Sequence, residues 1–243
     1  MAVQRGSRFC SALVLTATIL MSASFAFATV IPPDLPVGSQ YQLIFLTHDT
    51  TTAASADIGT YNTFVNQEAA LSSGLPVDAT WSAIASTQSV NANANVSTSS
   101  DIPIYTTSGV LVAASGTALW QTGTTPLLSS VTVDQYGNTW YMDAWTGTQA
   151  DGTAVSGAAL GQWNSTLTVG PAIGCGFFVN SSWLDAETYS SSQGGNTQAL
   201  SLYALSSVIT VPAPVPEPST FALLPSVAVS LLAYAWRRRT LTA

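Results

Sequence analysis

Tyr41-Gln42-Leu43-Ile44-Phe45-Leu46-Thr47 is the stretch that decides the fold. It is rich in apolar, β-branched and aromatic residues and stops at the polar turn His48-Asp49-Thr50, so it reads as a strand. A second such run, Leu200-Ser201-Leu202-Tyr203-Ala204-Leu205, closes the folded part and is free to pair with the first. Between them, Ile58, Tyr61, Phe64, Val65, Ala69 and Leu71 recur at helical spacing ahead of the stop Ser72-Ser73-Gly74. One amphipathic helix over 58–71 is therefore expected. Trp81 to Ala85 reads as a strand, and polar Val90 to Asp101 as a surface loop. Ile104-Tyr105 and Val110 to Ala113 flank the turn Thr106-Thr107-Ser108-Gly109, a hairpin pattern. Turns are expected at 134–138 and at Asp151-Gly152-Thr153, and Phe177-Phe178-Val179 reads as a strand. The sum is α+β: few helices, short antiparallel strands and long loops, with no repeat of fixed period.

The ends are of another kind. Arg5 and Arg8 precede a mostly apolar run from Phe9 to Met21, and Ala26-Phe27-Ala28 fits a small-x-small cleavage site. Residues 1–28 therefore read as a removed signal peptide, and 29–39 as an extended segment. At the other end, residues 210–220 form a Pro-rich linker that contains Pro216-Glu217-Pro218. Residues 221–236 are apolar, about 16 residues against the ~20 of a usual span. Arg237, Arg238 and Arg239 follow as a basic stop within the tail 237–243, positioned to stay cytoplasmic. This order resembles the PEP-CTERM sorting signal of bacteria. The resemblance implies a membrane exosortase that recognises Pro216-Glu217-Pro218 and removes the tail. It implies transient inner-membrane anchoring, then the cell envelope, surface or matrix, with exopolysaccharide and biofilm as company. An ordinary C-terminal anchor is the alternative.

Charge narrows the function further. The chain has 12 acids against 5 basic residues. All five are the arginines already named, and Lys is absent, so residues 9–236 hold no Lys or Arg. Nucleic acid is excluded as a partner, because phosphate contacts need cations. Anionic lipid surfaces are disfavoured for the same reason. Cys10 leaves with the signal peptide, so Cys175 is alone and no intramolecular disulfide is expected. A buried structural thiol and an intermolecular bridge both remain open for it.

The folded part, 40–209, carries a looser resemblance. Ile44-Phe45-Leu46-Thr47, Trp81-Ser82-Ala83-Ile84, the Pro103 to Val112 hairpin, Val133-Asp134-Gln135-Tyr136-Gly137, Leu202-Tyr203-Ala204-Leu205 and above all Trp145-Thr146-Gly147-Thr148-Gln149-Ala150-Asp151-Gly152-Thr153 resemble bacterial C-type-lectin/endostatin-like extracellular domains. The resemblance implies an α+β domain with long loops and a poorly defined activity. A non-enzymatic surface or matrix protein is expected, with a calcium- or carbohydrate-binding lectin-like module as the alternative. Asp143, Asp151 and Asp185 are candidates for calcium, with turn capping as the plainer role. Trp145 and Trp163 are candidates for sugar stacking, with core packing as the plainer role. No nucleophile motif accompanies the one histidine, His48, and no catalytic residue is expected; glycoside hydrolysis by an acid pair is the remote alternative.

Overall fold

The computed structural model describes residues 30–120, 127–163, 169–190 and 193–213. The signal peptide, Pro216-Glu217-Pro218, the 221–236 span and the Arg237 to Arg239 stop lie outside the described residues. Among the described residues no helix is long and apolar enough to cross a membrane.

The architecture is α+β with mixed sheets. Strand β1 (Gln40–Leu46) lies at the centre of the main sheet. It is an almost unbroken apolar run because both of its faces are covered. Tyr41, Leu43 and Phe45 enter one core with Tyr61, Val65, Trp81, Trp145 and Leu202. Ile44 and Leu46, pointing the opposite way, enter a second core with Val112, Leu119, Val131, Trp183 and Tyr203.

Next come β2 (Thr51–Thr52) and helix α1 (Ile58–Ala70). The Asp57 side chain accepts from Gly59 N at 2.9 Å and so fixes the helix start. Tyr61, Val65, Glu68 and Ala69 form its buried face. β3 (Trp81–Ala83) is an edge of the sheet, whose order continues through β10 (Tyr203–Ser206), β1, β4 (Ile104–Thr106) and β5 (Leu111–Ala113). That edge is closed by amides. Asn66 accepts from Trp81 N at 3.0 Å and donates to Trp81 O at 2.5 Å. Asn62 accepts from Ala83 N, and Asn95 donates to Ala83 O at 2.8 Å. An unpaired strand edge invites pairing with another chain, and these three side chains occupy its polar groups.

The first and last strands do pair: Ile44, Phe45 and Leu46 stand opposite Leu205, Ala204 and Tyr203. The pairing resumes where β11 (Ile209–Thr210) meets Gln40 and Tyr41. Between the two stretches the Ser206 hydroxyl accepts from Leu43 N at 2.8 Å, so a side chain replaces a ladder bond. β1 and β4 run parallel, which corrects the expectation of antiparallel strands throughout. A parallel neighbour requires a crossover, and the long 47–103 excursion with α1 supplies it.

Three further expectations change. The 90–101 segment is not all surface loop: α2 (Ala92–Asn95) forms there, and Ala92 and Val96 are buried in the second core. Phe177-Phe178-Val179 is not a strand but an exposed turn after one. The strand is β7 (Val169–Cys175), between β6 (Asp143–Trp145) and β8 (Glu187–Ser190). Two glycines and Pro171 hide it from a propensity reading. Pro171 is accommodated where the β7–β8 register shifts, between Val169 and Ala172. Gly174 is needed because a Cβ there would collide with the Trp183 carbonyl. The predicted terminal strand is likewise divided, since β9 (Ala199–Leu200) pairs with β2.

Candidate functional site

The three-stranded sheet places Asp143 opposite Cys175 and Trp145 opposite Ile173, all on one face. Tyr189 of β8 lies on the same side, its ring 5.2 Å from that of Trp145. Trp145 itself is fully buried, and its indole N–H reaches Thr51 O at 3.1 Å and Gln198 O at 3.2 Å. It thereby ties β6 to β2 and to the residue that leads into β9. It is core, not stacking platform: no face of the ring is open.

Asp143, Cys175 and Tyr189 border a cleft of about 620 Å³. Asp143, Tyr141 and Met142 form one wall, Cys175 and Phe177 another, and Gln198 to Leu200 a third, with Tyr189 between. The apolar groups here are on show. Tyr141 is 67% and Phe177 65% exposed, and their rings lie 6.2 Å apart. Phe178 continues the patch, its ring 6.2 Å from Phe177. Large apolar side chains exposed together mark interaction surfaces more often than single ones do.

Cys175 is half-buried and unbridged. Burial pushes its thiol above the usual range, and the neighbouring Asp143 carboxylate pushes in the same direction, against a backbone bond at Phe177. The thiol therefore stays protonated at neutral pH, which is poor preparation for a nucleophile. The fully buried Tyr203 phenol feels the same neighbours. Its pKa is raised well above its ordinary value by burial first, then by Cys175 and Asp143. Among the described residues its hydroxyl has no hydrogen-bond partner.

The other candidates are dispersed. Asp151 caps its own turn, accepting from Thr153 N at 2.9 Å and Thr153 Oγ1 at 2.5 Å, and these bonds lower its pKa. Asp185 follows the Trp183 turn as an exposed residue, its carboxyl raised by partial desolvation. Trp163 is 39% exposed and packs across Gly170 and Gly195. Among the described residues no group of three His, Cys, Asp or Glu side chains is placed to hold a metal ion.

A second polar cluster went unread in the sequence. His48 Nδ1 lies 3.2 Å from the buried Asp134 carboxylate, and its ring stacks on Trp140 at 4.2 Å. Glu68, buried on α1, accepts from Asp49 N at 3.1 Å and Gln135 Nε2 at 2.8 Å. Gln135 in turn accepts from His48 N. Asp134 also accepts from Tyr136 N and Asn138 N, which closes the 134–138 turn. Every carboxylate here has a local structural partner, and the cluster reads as the lock between β1, α1 and that turn. The signal available was Asp-x-x-Gly in a turn, which says capping but not which helix it meets.

Compared with known families, residues 214–239 match the PEP-CTERM protein-sorting motif. The search of curated proteins finds no match to the chain. The motif supports export, transient membrane anchoring and processing by an exosortase.

Proposed function

We propose that this is a non-enzymatic exported protein, cut by an exosortase and retained at the cell surface or in the extracellular matrix, where it associates with exopolysaccharide. The observation that carries the reading is the sorting motif at residues 214–239, with Pro216-Glu217-Pro218 ahead of a short apolar stretch and three arginines. The absence of Lys and Arg from residues 9–236 agrees with a matrix role and disfavours anionic partners. Intact mass of the mature protein tests it. A mass ending before residue 221 is expected; one that includes Arg237 to Arg239 overturns the exosortase reading and leaves a plain anchor.

The second reading is a lectin-like module. The pairing of the first and last strands around long excursions supports a C-type-lectin/endostatin-like domain, and the aromatic cleft supports carbohydrate as its ligand. Calcium binding belongs to this reading through Asp143, Asp151 or Asp185. Calcium that raises the melting temperature no more than sodium chloride of equal ionic strength removes it.

A further inference from the structure

We infer that the cleft lined by Tyr141, Asp143, Phe177, Tyr189 and Gln198 is a binding site for amine-bearing sugar residues of a glycan. The inference rests on the carbohydrate reading above and goes beyond it in the place, the residues and the charge of the ligand.

Three observations converge. The first is shape and surface: a cleft of about 620 Å³ is in the range that holds a small ligand, and its rim is aromatic. Tyr141 and Phe177, adjacent and two-thirds exposed, offer aromatic surface to the apolar face of a pyranose. The second is the polar set. Asp143 supplies a carboxylate and Gln198 an amide, the groups that bind hydroxyls and ammonium. The third is charge. Among the described residues the lining holds one acid and no base, and in residues 9–236 the one side chain able to become cationic is His48, which belongs to another cluster. A uronate, sulfate or phosphate would enter with nothing to neutralise it. An ammonium would meet the Asp143 carboxylate and the faces of aromatic rings, which attract cations. An alkyl amine would use the charge but leave the broad Tyr141–Phe177 surface uncovered. A glucosamine ring uses both.

The experiment uses the purified, processed protein and glucosamine oligosaccharides, with N-acetylated oligosaccharides of equal length, uronate oligosaccharides and a tri-lysine peptide as competitors. Calorimetric titration reads affinity. Glucosamine oligomers are expected to bind at least about tenfold more tightly than any competitor. Asp143→Asn is expected to lose about tenfold, and Phe177→Ser, which leaves every charge in place, a similar factor. Because Phe177 is exposed, its substitution should leave the melting temperature unchanged, so lost binding cannot be lost folding. Unchanged binding in Phe177→Ser means general attraction of a polycation to an acidic protein, and overturns the site. Equal affinity for the acetylated oligomer or for tri-lysine also overturns it, as does no binding at all. Each of these failures leaves the tail-processing result untouched, so the sorting reading stands or falls separately.

Discussion

Asp143 on β6 stands directly opposite Cys175 on β7, a carboxylate and a thiol paired across a ladder at the mouth of the cleft. Burial and this neighbour both favour the neutral thiol. Cys175 is therefore expected to react with a disulfide reagent more slowly in the native protein than in urea at the same pH. The unfolded chain releases the proton first, so stability is flat below the ordinary thiol range and falls as pH rises through it. Asp143→Asn removes the like charge, lowers the thiol pKa and speeds the native reaction. A native rate equal to the unfolded one, or a disulfide dimer on a non-reducing gel, contradicts this.

Gly147 adopts φ +58°, and a Cβ there would lie 2.6 Å from Leu160 N and from Ser86 O. Both obstacles are backbone, so neither yields. Gly147→Ala is expected to cost about 3 kcal/mol or more. Denaturant unfolding measures it, and a loss under about 1 kcal/mol shows that the turn relaxes.

Asn66→Leu strips two hydrogen bonds from Trp81 at the edge of the main sheet. A loss of about 1–3 kcal/mol is expected, since unmet backbone groups are left behind. Light scattering should also rise, because the freed edge is able to pair with another chain. Destabilisation without any change in association would show that the amides serve packing alone.

Trp145→Phe keeps an aromatic ring but leaves Thr51 O and Gln198 O without their shared donor. About 2–4 kcal/mol is expected from the lost bonds and the unfilled volume. If the small β2–β9 sheet depends on that indole, hydrogen exchange should accelerate first at Thr52 and Ala199. Uniform acceleration across the domain would show instead a global loss.

The processed protein is expected to resist trypsin even when fully unfolded. Once residues 1–28 and the tail are gone no Lys or Arg remains. Cleavage by pure trypsin would show that a signal arginine is retained, and mass spectrometry would say which end.

Residue order by itself determined the sorting tail, the charge and the local elements. Motif, apolar length and basic stop are contiguous, so no folding is needed to read them. β1, α1 and the β4–β5 hairpin were legible because each carries its own period and stop: the apolar run ending at His48, Tyr61 and Val65 on one helical face, Thr106 to Gly109 between two short strands. Tertiary structure alone decided the rest. β7 was hidden because Gly170, Pro171 and Gly174 are poor strand formers, tolerated for a bulge and for the close approach of Tyr189 and Trp183 backbone. Phe177 and Phe178 read as strand because hydrophobicity does not say where a strand ends and the chain turns. Tyr141, Phe177 and Gln198 belong to separate loops and strands, and the β6–β7–β8 ladder with β9 brings them to one cleft. Trp145, the most recognisable residue of its segment, went into the core instead of the rim, because its N–H finds two carbonyls there and burial of its ring holds both small sheets together.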